Sequence, residues 1–286
     1  MSIVVENVSY TYGKGGPFEK QALDNISFTI NDGDFVALIG HTGSGKSTLM
    51  QLLSGLLKPD SGKIIIDGTD ITGDKVDMHK IRGTVGIVFQ YPEYQLFEET
   101  VYKDIAYGPA NLGKTPEEID KIIKEIIPWV GLDFDVLDKS PFELSGGQKR
   151  RVAIAGVLAM EPKILILDEP TVGLDPAGRN DILSSIKELH DKKNVTVILV
   201  SHSMEDVANT VDKIMVISDS RLFAYDTVGK VFSDSEKLKS IGLNVPQVTR
   251  VVNHLKQKGI YLKGEIYTVE AAVNAVIEYL GGDKLC

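Results

Sequence analysis

Gly40-His41-Thr42-Gly43-Ser44-Gly45-Lys46-Ser47-Thr48 is the stretch on which the reading of this chain turns. It follows the apolar run Phe35-Val36-Ala37-Leu38-Ile39 and precedes the helical run Leu49 to Leu57, so a glycine-rich turn joins a buried strand to a helix start. Glycines let such a turn aim amide N–H groups inward, and the helix dipole adds about half a positive charge at the same point. A phosphate chain is what that arrangement holds. Lys46 reaches toward terminal phosphates and Ser47 offers a hydroxyl to magnesium. The bland alternative is a turn that only caps a helix; with average residue usage the pattern arises by chance in roughly one chain in a hundred.

Outward from this turn, Ile3-Val4-Val5, Ile26 to Ile30, Ile64-Ile65-Ile66 and Val85 to Phe89 read as strands, with a polar linker from Thr69 to Lys80. Ile119, Ile122, Ile123, Ile126, Ile127 and Val130 share one helical stripe. Ile164 to Leu167 and Val195 to Val200 are almost continuously apolar, as strands are when helices cover both faces of a parallel sheet. The helical segment Pro176 to His190 between them completes a βαβ unit, so the core is α/β. Beyond about Val231 two helical stripes follow: Val248, Val251, Val252, Leu255, and then Val269, Ala272, Val273, Val276, Ile277, Leu280.

Composition narrows the function classes. The 286 residues are 43% hydrophobic and 25% charged, enough apolar material for a sizeable core. A net charge of -9 argues against a protein that coats nucleic acid, while leaving room for a local anion site. Cys286 is the single cysteine, so no intrachain disulfide or thiol metal cluster is expected, which suits a reducing, cytosolic setting. Met1 to Asn7 has no basic start, and no apolar run approaches the ~18 residues of a bilayer span. A soluble chain that meets a membrane only through a partner is the expectation.

Two further strings carry chemistry. Ile164-Leu165-Ile166-Leu167-Asp168-Glu169 delivers two carboxylates to a strand's C-terminal end, the edge where open α/β sheets bind ligands. Asp168 suits magnesium, and Glu169 could orient or deprotonate a water. Leu144-Ser145-Gly146-Gly147-Gln148 opens another helix, with Ser145 as N-cap and two glycines exposing amide N–H groups. Two helix starts from distant segments suit one phosphate chain only if they approach it from opposite sides.

Together these strings resemble the nucleotide-binding subunits of ABC transporters, over residues ~3 to ~225. The resemblance implies a P-loop NTPase ABC nucleotide-binding fold with a β-rich N-terminal part, a helical subdomain at about 91–160 inside a domain of 1–230, and a C-terminal helical extension at 231–286. It implies ATP and Mg2+ as ligands. Gly40, His41, Thr42, Gly43, Ser44, Gly45, Lys46, Ser47 and Thr48 become the Walker A loop, and Ser145, Gly146, Gly147 and Gln148, after Leu144, the signature motif. Asp168 becomes the Walker B magnesium residue, alongside Ser47 and Gln90. Glu169 becomes the catalytic carboxylate, Gln90 the Q-loop residue that touches magnesium and water, and His202 the switch histidine facing the γ-phosphate. Tyr12 matches the aromatic that stacks on adenine, with Tyr10 as its substitute. Gly173-Leu174-Asp175 matches the D-loop, although Val172-Gly173 departs from the Ser and small residue of many relatives. His79, His190 and His254 have no comparable placement, and His41 has only its position in the loop.

A narrower clue follows Phe89: Gln90-Tyr91-Pro92-Glu93-Tyr94-Gln95-Leu96-Phe97. It looks like the A components of energy-coupling factor importers, most like the second of their two ATPases, as do Arg151 to Gly156 and Val245-Pro246-Gln247-Val248. That resemblance implies a peripheral subunit on the cytoplasmic face of the cell membrane and favours pairing with a second related ABC ATPase in a heterodimer, a homodimer being the alternative. It also implies a transmembrane T component and a substrate-binding membrane S component, importing vitamins or, in relatives, cobalt and nickel ions. The C-terminal helices then help two ATPases dimerise, sealing of the sheet being the alternative. A P-loop nucleotide kinase, a cassette acting on DNA or ribosomes, and a non-hydrolysing regulatory cassette are the rival classes. Leu144 to Gln148 counts against the first, the lack of zinc cysteines or a second cassette against the second, and intact Lys46, Glu169 and His202 against the third.

Overall fold

Ile164-Leu165-Ile166-Leu167 and Val197-Ile198-Leu199-Val200 carry no polar side chain to turn toward water, so both faces of their sheet must be covered. The computed structural model, which describes residues 2–282, shows how. In chain order the N-terminal part forms β1 (Ile3–Tyr12), β2 (Lys20–Ile30), β3 (Phe35–Ile39), α1 (Lys46–Leu53), β4 (Ser61–Ile66), β5 (Thr69–Asp70), α2 (Met78–Thr84) and β6 (Val85–Val88). Three helices follow, α3 (Val101–Asn111), α4 (Pro116–Trp129) and α5 (Gly146–Leu158). The chain returns to the sheet with β7 (Ile164–Asp168), α6 (Pro176–Lys193), β8 (Thr196–Val200), α7 (Met204–Thr210), β9 (Lys213–Ser218) and β10 (Arg221–Thr227). It ends in α8 (Val228–Ser233), α9 (Ser235–Ser240), α10 (Gln247–Gln257) and α11 (Val269–Tyr279).

A six-stranded sheet in the order β10-β9-β3-β8-β7-β6 lies beside a four-stranded antiparallel sheet, β2-β1-β4-β5. Alternation along the central strands feeds two cores. Ala37, Leu165, Leu167, Val197 and Leu199 point into one, with the helices of the middle of the chain. Val36, Leu38, Ile164, Ile166 and Ile198 point into the other, with α1 and the antiparallel sheet. The P-loop ABC nucleotide-binding architecture expected from sequence is the one observed.

Local chemistry sets the helix starts. Thr115 and Glu118 form a reciprocal capping box at α4, Pro116 takes the first helical position, and the predicted isoleucine stripe is buried. α5 begins at Gly146 with Ser145 as its N-cap, as expected: Ser145 accepts from the Gln148 N–H and Gln148 Oε1 accepts from the Ser145 N–H. The polar linker after Thr69 contains β5 and the start of α2, capped by the Asp77 carboxylate. β1 is far longer than Ile3-Val4-Val5, since pairing with β2 on one side and β4 on the other carries it through polar residues.

Val231, Phe232, Leu238, Leu243 and Val245 join the larger core, so the start of the C-terminal part is packed like the rest. The two stripes after it are only partly covered: Val251 is 58% exposed, Val269 70% and Leu280 76%. Residues 283–286, with Cys286, and Met1 lie outside the described residues. Among the described residues no helix is long and apolar enough to cross a membrane.

Leu167 has no exposed surface and sits between β6 and β8. Leu167→Ala is expected to cost about 2–5 kcal/mol through lost burial and the cavity left behind, read as a lower denaturation midpoint in urea.

Candidate functional site

Parallel pairing levels four strand ends. Val88 faces Leu167, Leu167 faces Leu199, and Val200 faces Leu38. Each strand therefore hands its next residues to one edge: Gln90 beyond β6, Asp168 and Glu169 at β7, His202 beyond β8, and Gly40 to Gly45 beyond β3. In open α/β sheets this edge is where ligands bind.

Gly45 has φ 113 and begins α1; a Cβ there would collide with the Ala22 carbonyl, and one at Gly40 with the Ile217 carbonyl. No side chain caps α1, so its first amide N–H groups are not taken by one. Lys46 is 8% exposed, and its Nζ donates to the carbonyls of Gly40 (2.7 Å) and His41 (3.0 Å). Burial pulls the Lys46 pKa down, against the opposing pull of Glu169 and Asp168. Ser44 Oγ is buried with no hydrogen-bond partner. A cleft of about 140 Å³ runs along the loop, lined by Gly43, Gly45, Lys46, Ser47 and Thr48 together with Tyr12 and Lys20. The Tyr12 hydroxyl lies 3.2 Å from Thr48 Oγ1, and its ring meets Tyr10 edge-on at 4.9 Å. Tyr12 is 40% exposed on the cleft side of β1, whereas Tyr10 packs against the core. Lys20, opposite Tyr12 across the β1–β2 ladder, is a cleft residue that nothing in the linear sequence marks. A larger cavity, about 500 Å³, opens elsewhere around Trp129 and Lys163 and contains none of these residues.

Glu169 is the tensest point. It takes a left-handed backbone, φ 50, held by its N–H donating to the Val200 carbonyl (3.1 Å) and its carbonyl accepting from the Val172 N–H (3.2 Å). Its side chain is buried, its Oε1 has no hydrogen-bond partner, and His202 Nε2 stands 3.4 Å away. Burial pushes the Glu169 carboxyl up to about 7, aided by Asp168 and Asp206 and opposed by the His202 backbone N–H and by Lys46. Burial also raises Asp168, against Lys46, and lowers His202, with Lys46 adding to the effect. Burial is the leading cause of all three shifts, disfavouring the charged form of Glu169, Asp168 and Lys46 alike.

The donor set fits magnesium. Ser47, Asp168 and Gln90 offer hard oxygens, and no cluster of three or more His, Cys, Asp or Glu forms a cage among the described residues. That suits an ion that takes one or two carboxylates and completes its shell with phosphate oxygens and water.

Ser145 to Gln148 stand apart. They head α5, which packs on α3 and the Pro92–Gln95 turn, and none of them lines the cleft at the phosphate loop. Gly146 and Gly147 have nothing within 4 Å of where a Cβ would be. Ser145 and Gln148 are engaged with each other, so what this turn offers outward is backbone N–H and exposed surface.

Comparison with known proteins agrees with this geometry. The ABC transporter family matches residues 23–172. A protein of Clostridium acetobutylicum, named energy-coupling factor transporter ATP-binding protein EcfA2, is 57% identical over 99% of this chain and 100% of its own length. A namesake in Caldanaerobacter subterraneus is 55% identical over 99% of each. Among solved structures, cbiO1 from Clostridium perfringens, part of the ABC transporter complex cbiONQ, superposes with TM-score 0.74 at 38% identity, covering 89% of this chain and 98% of that one. The cassette MJ0796, dimeric in a post-hydrolysis state with ADP and Pi, reaches 0.70 at 30% identity over 79% of this chain and 98% of its own. A phosphate loop, a signature turn and an acidic strand end in this order, with full-length identity above half, place the chain in the ABC transporter ATPase family, on its energy-coupling factor branch.

Proposed function

We propose that this chain is the ATP-hydrolysing subunit of an energy-coupling factor importer for a vitamin or similar micronutrient, peripheral at the cytoplasmic face of the membrane. The observation that carries the hydrolytic reading is Glu169: a buried carboxylate, directly after Asp168, whose Oε1 accepts no hydrogen bond and faces His202 Nε2 at 3.4 Å. A carboxyl poised near 7 is suited to take a proton from an attacking water, a contribution of typically ~10²–10⁴-fold. His202, held toward its neutral form, accepts or donates a hydrogen bond at the terminal phosphate. Gly43 to Ser47 and Lys46 bind the phosphates, and Tyr12 stacks on the base. Ser47, Asp168 and Gln90 would hold Mg2+, which neutralises phosphate charge when bound.

Because the signature turn does not line its own chain's cleft, Ser145 to Gln148 are proposed to face the nucleotide of a second related ATPase in a head-to-tail pair. Nucleotide touching both subunits only when closed supplies the differential affinity that drives closure, and hydrolysis removes it. The Gln90 to Phe97 segment, with Tyr94 83% exposed, and the half-covered stripes of α10 and α11 after about residue 230 are the surfaces for a transmembrane T component with its S component and for the second ATPase, respectively. A subunit of a cbiONQ-like complex is the second reading, favoured by the likeness to cbiO1; identity of 57% against 38% puts it behind.

Glu169→Gln is expected to keep ATP affinity while lowering turnover at least ~100-fold and accumulating an ATP-bound dimer in gel filtration; unchanged steady-state hydrolysis would overturn the assignment. Lys46→Ala is expected to weaken ATP binding roughly tenfold or more by calorimetry. A pH test isolates the carboxyl. Between its ordinary 4.5 and about 7, folded Glu169 binds a proton that the unfolded chain does not, so its stabilising contribution is full at low pH and lost as pH rises through that window. In buffer without magnesium and nucleotide, Glu169→Gln should therefore gain roughly 5 °C in melting temperature on the wild type between about pH 5 and about pH 8. Parallel melting curves across that range contradict the raised carboxyl.

A further inference from the structure

Arg150 lies one turn into α5, beyond the signature residues, and is 3% exposed. A guanidinium withdrawn from water is tolerated only where its donors are met with good geometry. Here they are. Nε and Nη2 donate to Glu93 Oε2 (3.1 Å) and Oε1 (2.8 Å), a planar two-point grip, while Nη1 donates to the carbonyls of Pro170 (3.4 Å) and Val172.

The three anchors matter because of where they lie. Glu93 is in the Pro92–Gln95 turn that follows Gln90; Pro170 and Val172 lie between Glu169 and the Gly173-Leu174-Asp175 stretch; Arg150 itself is on the helix headed by Ser145 to Gln148. One buried side chain thus joins three segments distant in sequence, each carrying residues of the nucleotide site. The neighbouring Arg151 is a useful contrast. It donates to the Val130 carbonyl (2.7 Å) and to Asp181 (3.2 Å), which brace α5 against segments that carry no site residue.

We propose that Arg150 is a positioning residue for ATP hydrolysis, gripping Glu93 and the Pro170 and Val172 carbonyls so that the Gln90 segment, the signature turn and the Glu169 turn move as one body. Displacement of the Pro92–Gln95 turn, which carries Tyr94 (83% exposed) and follows Tyr91 (41% exposed), is then transmitted to both carbonyls and to the start of α5. A lysine cannot substitute, because one ammonium does not match a carboxylate and two carbonyls in a plane. This inference rests on the ATPase reading above.

The test uses the full chain as Glu93→Gln, Arg150→Lys and the double variant. In each, kcat for ATP should fall roughly tenfold or more with the calorimetric ATP Kd within about twofold of wild type, and the double variant should lose no more than Arg150→Lys alone. Hydrogen exchange adds a readout that general destabilisation does not move selectively: in Glu93→Gln, the hydrogen-bonded amides of Gln148, Lys149, Val172 and Leu174 should exchange roughly tenfold faster, while those of β3 and β8 stay as in wild type. Turnover within about twofold of wild type, or exchange raised evenly across the chain, overturns the proposal. Glu93→Gln keeps side-chain volume and decides the matter alone if Arg150→Lys does not fold. A wild-type chain without ATP turnover would sink the ATPase reading only; unchanged exchange at Gln148 and Lys149 in Glu93→Gln would sink the link itself.

Discussion

Level strand ends are the constraint on which this site depends. β6, β7, β8 and β3 run parallel and in register, so their exits deliver an amide, two carboxylates, an imidazole and a glycine loop to one edge. The register is in turn enforced by burial on both faces, since a slip of one residue would exchange the two cores' side chains wholesale. Chemistry at the edge is thus underwritten by aliphatic packing beneath it.

That edge is electrostatically uncomfortable. Lys46 is drawn below its usual basicity by burial while Asp168 and Glu169 are pushed above theirs, and Glu169 also sits in a left-handed backbone. Such strain costs of order 1–3 kcal/mol at one residue and persists only where the surroundings over-determine it. Here β8 does so through the Val200 carbonyl, and the Val172 N–H completes the turn. The strained residue and the proposed base are the same one, as expected where stability is traded for function.

Much of the architecture was legible because its signals are local. The phosphate loop, the continuous apolar strands β7 and β8, and the isoleucine stripe of α4 each carry their own pattern within a few residues. β9 is fully apolar in its middle but only six residues long, too short for its pattern to separate strand from helix, and Gly108-Pro109 near the end of α3 blurs its helical stripe. The stripes of α10 and α11 were visible, but how little of them this chain covers was not, because exposure depends on neighbours rather than on period. Lys20 in the cleft and the Glu93–Arg150 grip follow from pairing across tens of residues, which spacing along the chain does not encode.

The separation of the signature turn from the cleft of its own chain reaches beyond mechanism into inheritance. In a head-to-tail pair every protomer lends half of two catalytic centres, so a lesion at Lys46 and a lesion at Ser145 on one gene product cripple opposite centres. With a second related ATPase as the partner, each pair holds one copy of this chain, so alleles of those two kinds never meet in one pair, and co-expression yields a mixture of half-disabled pairs with none whose two centres are both intact.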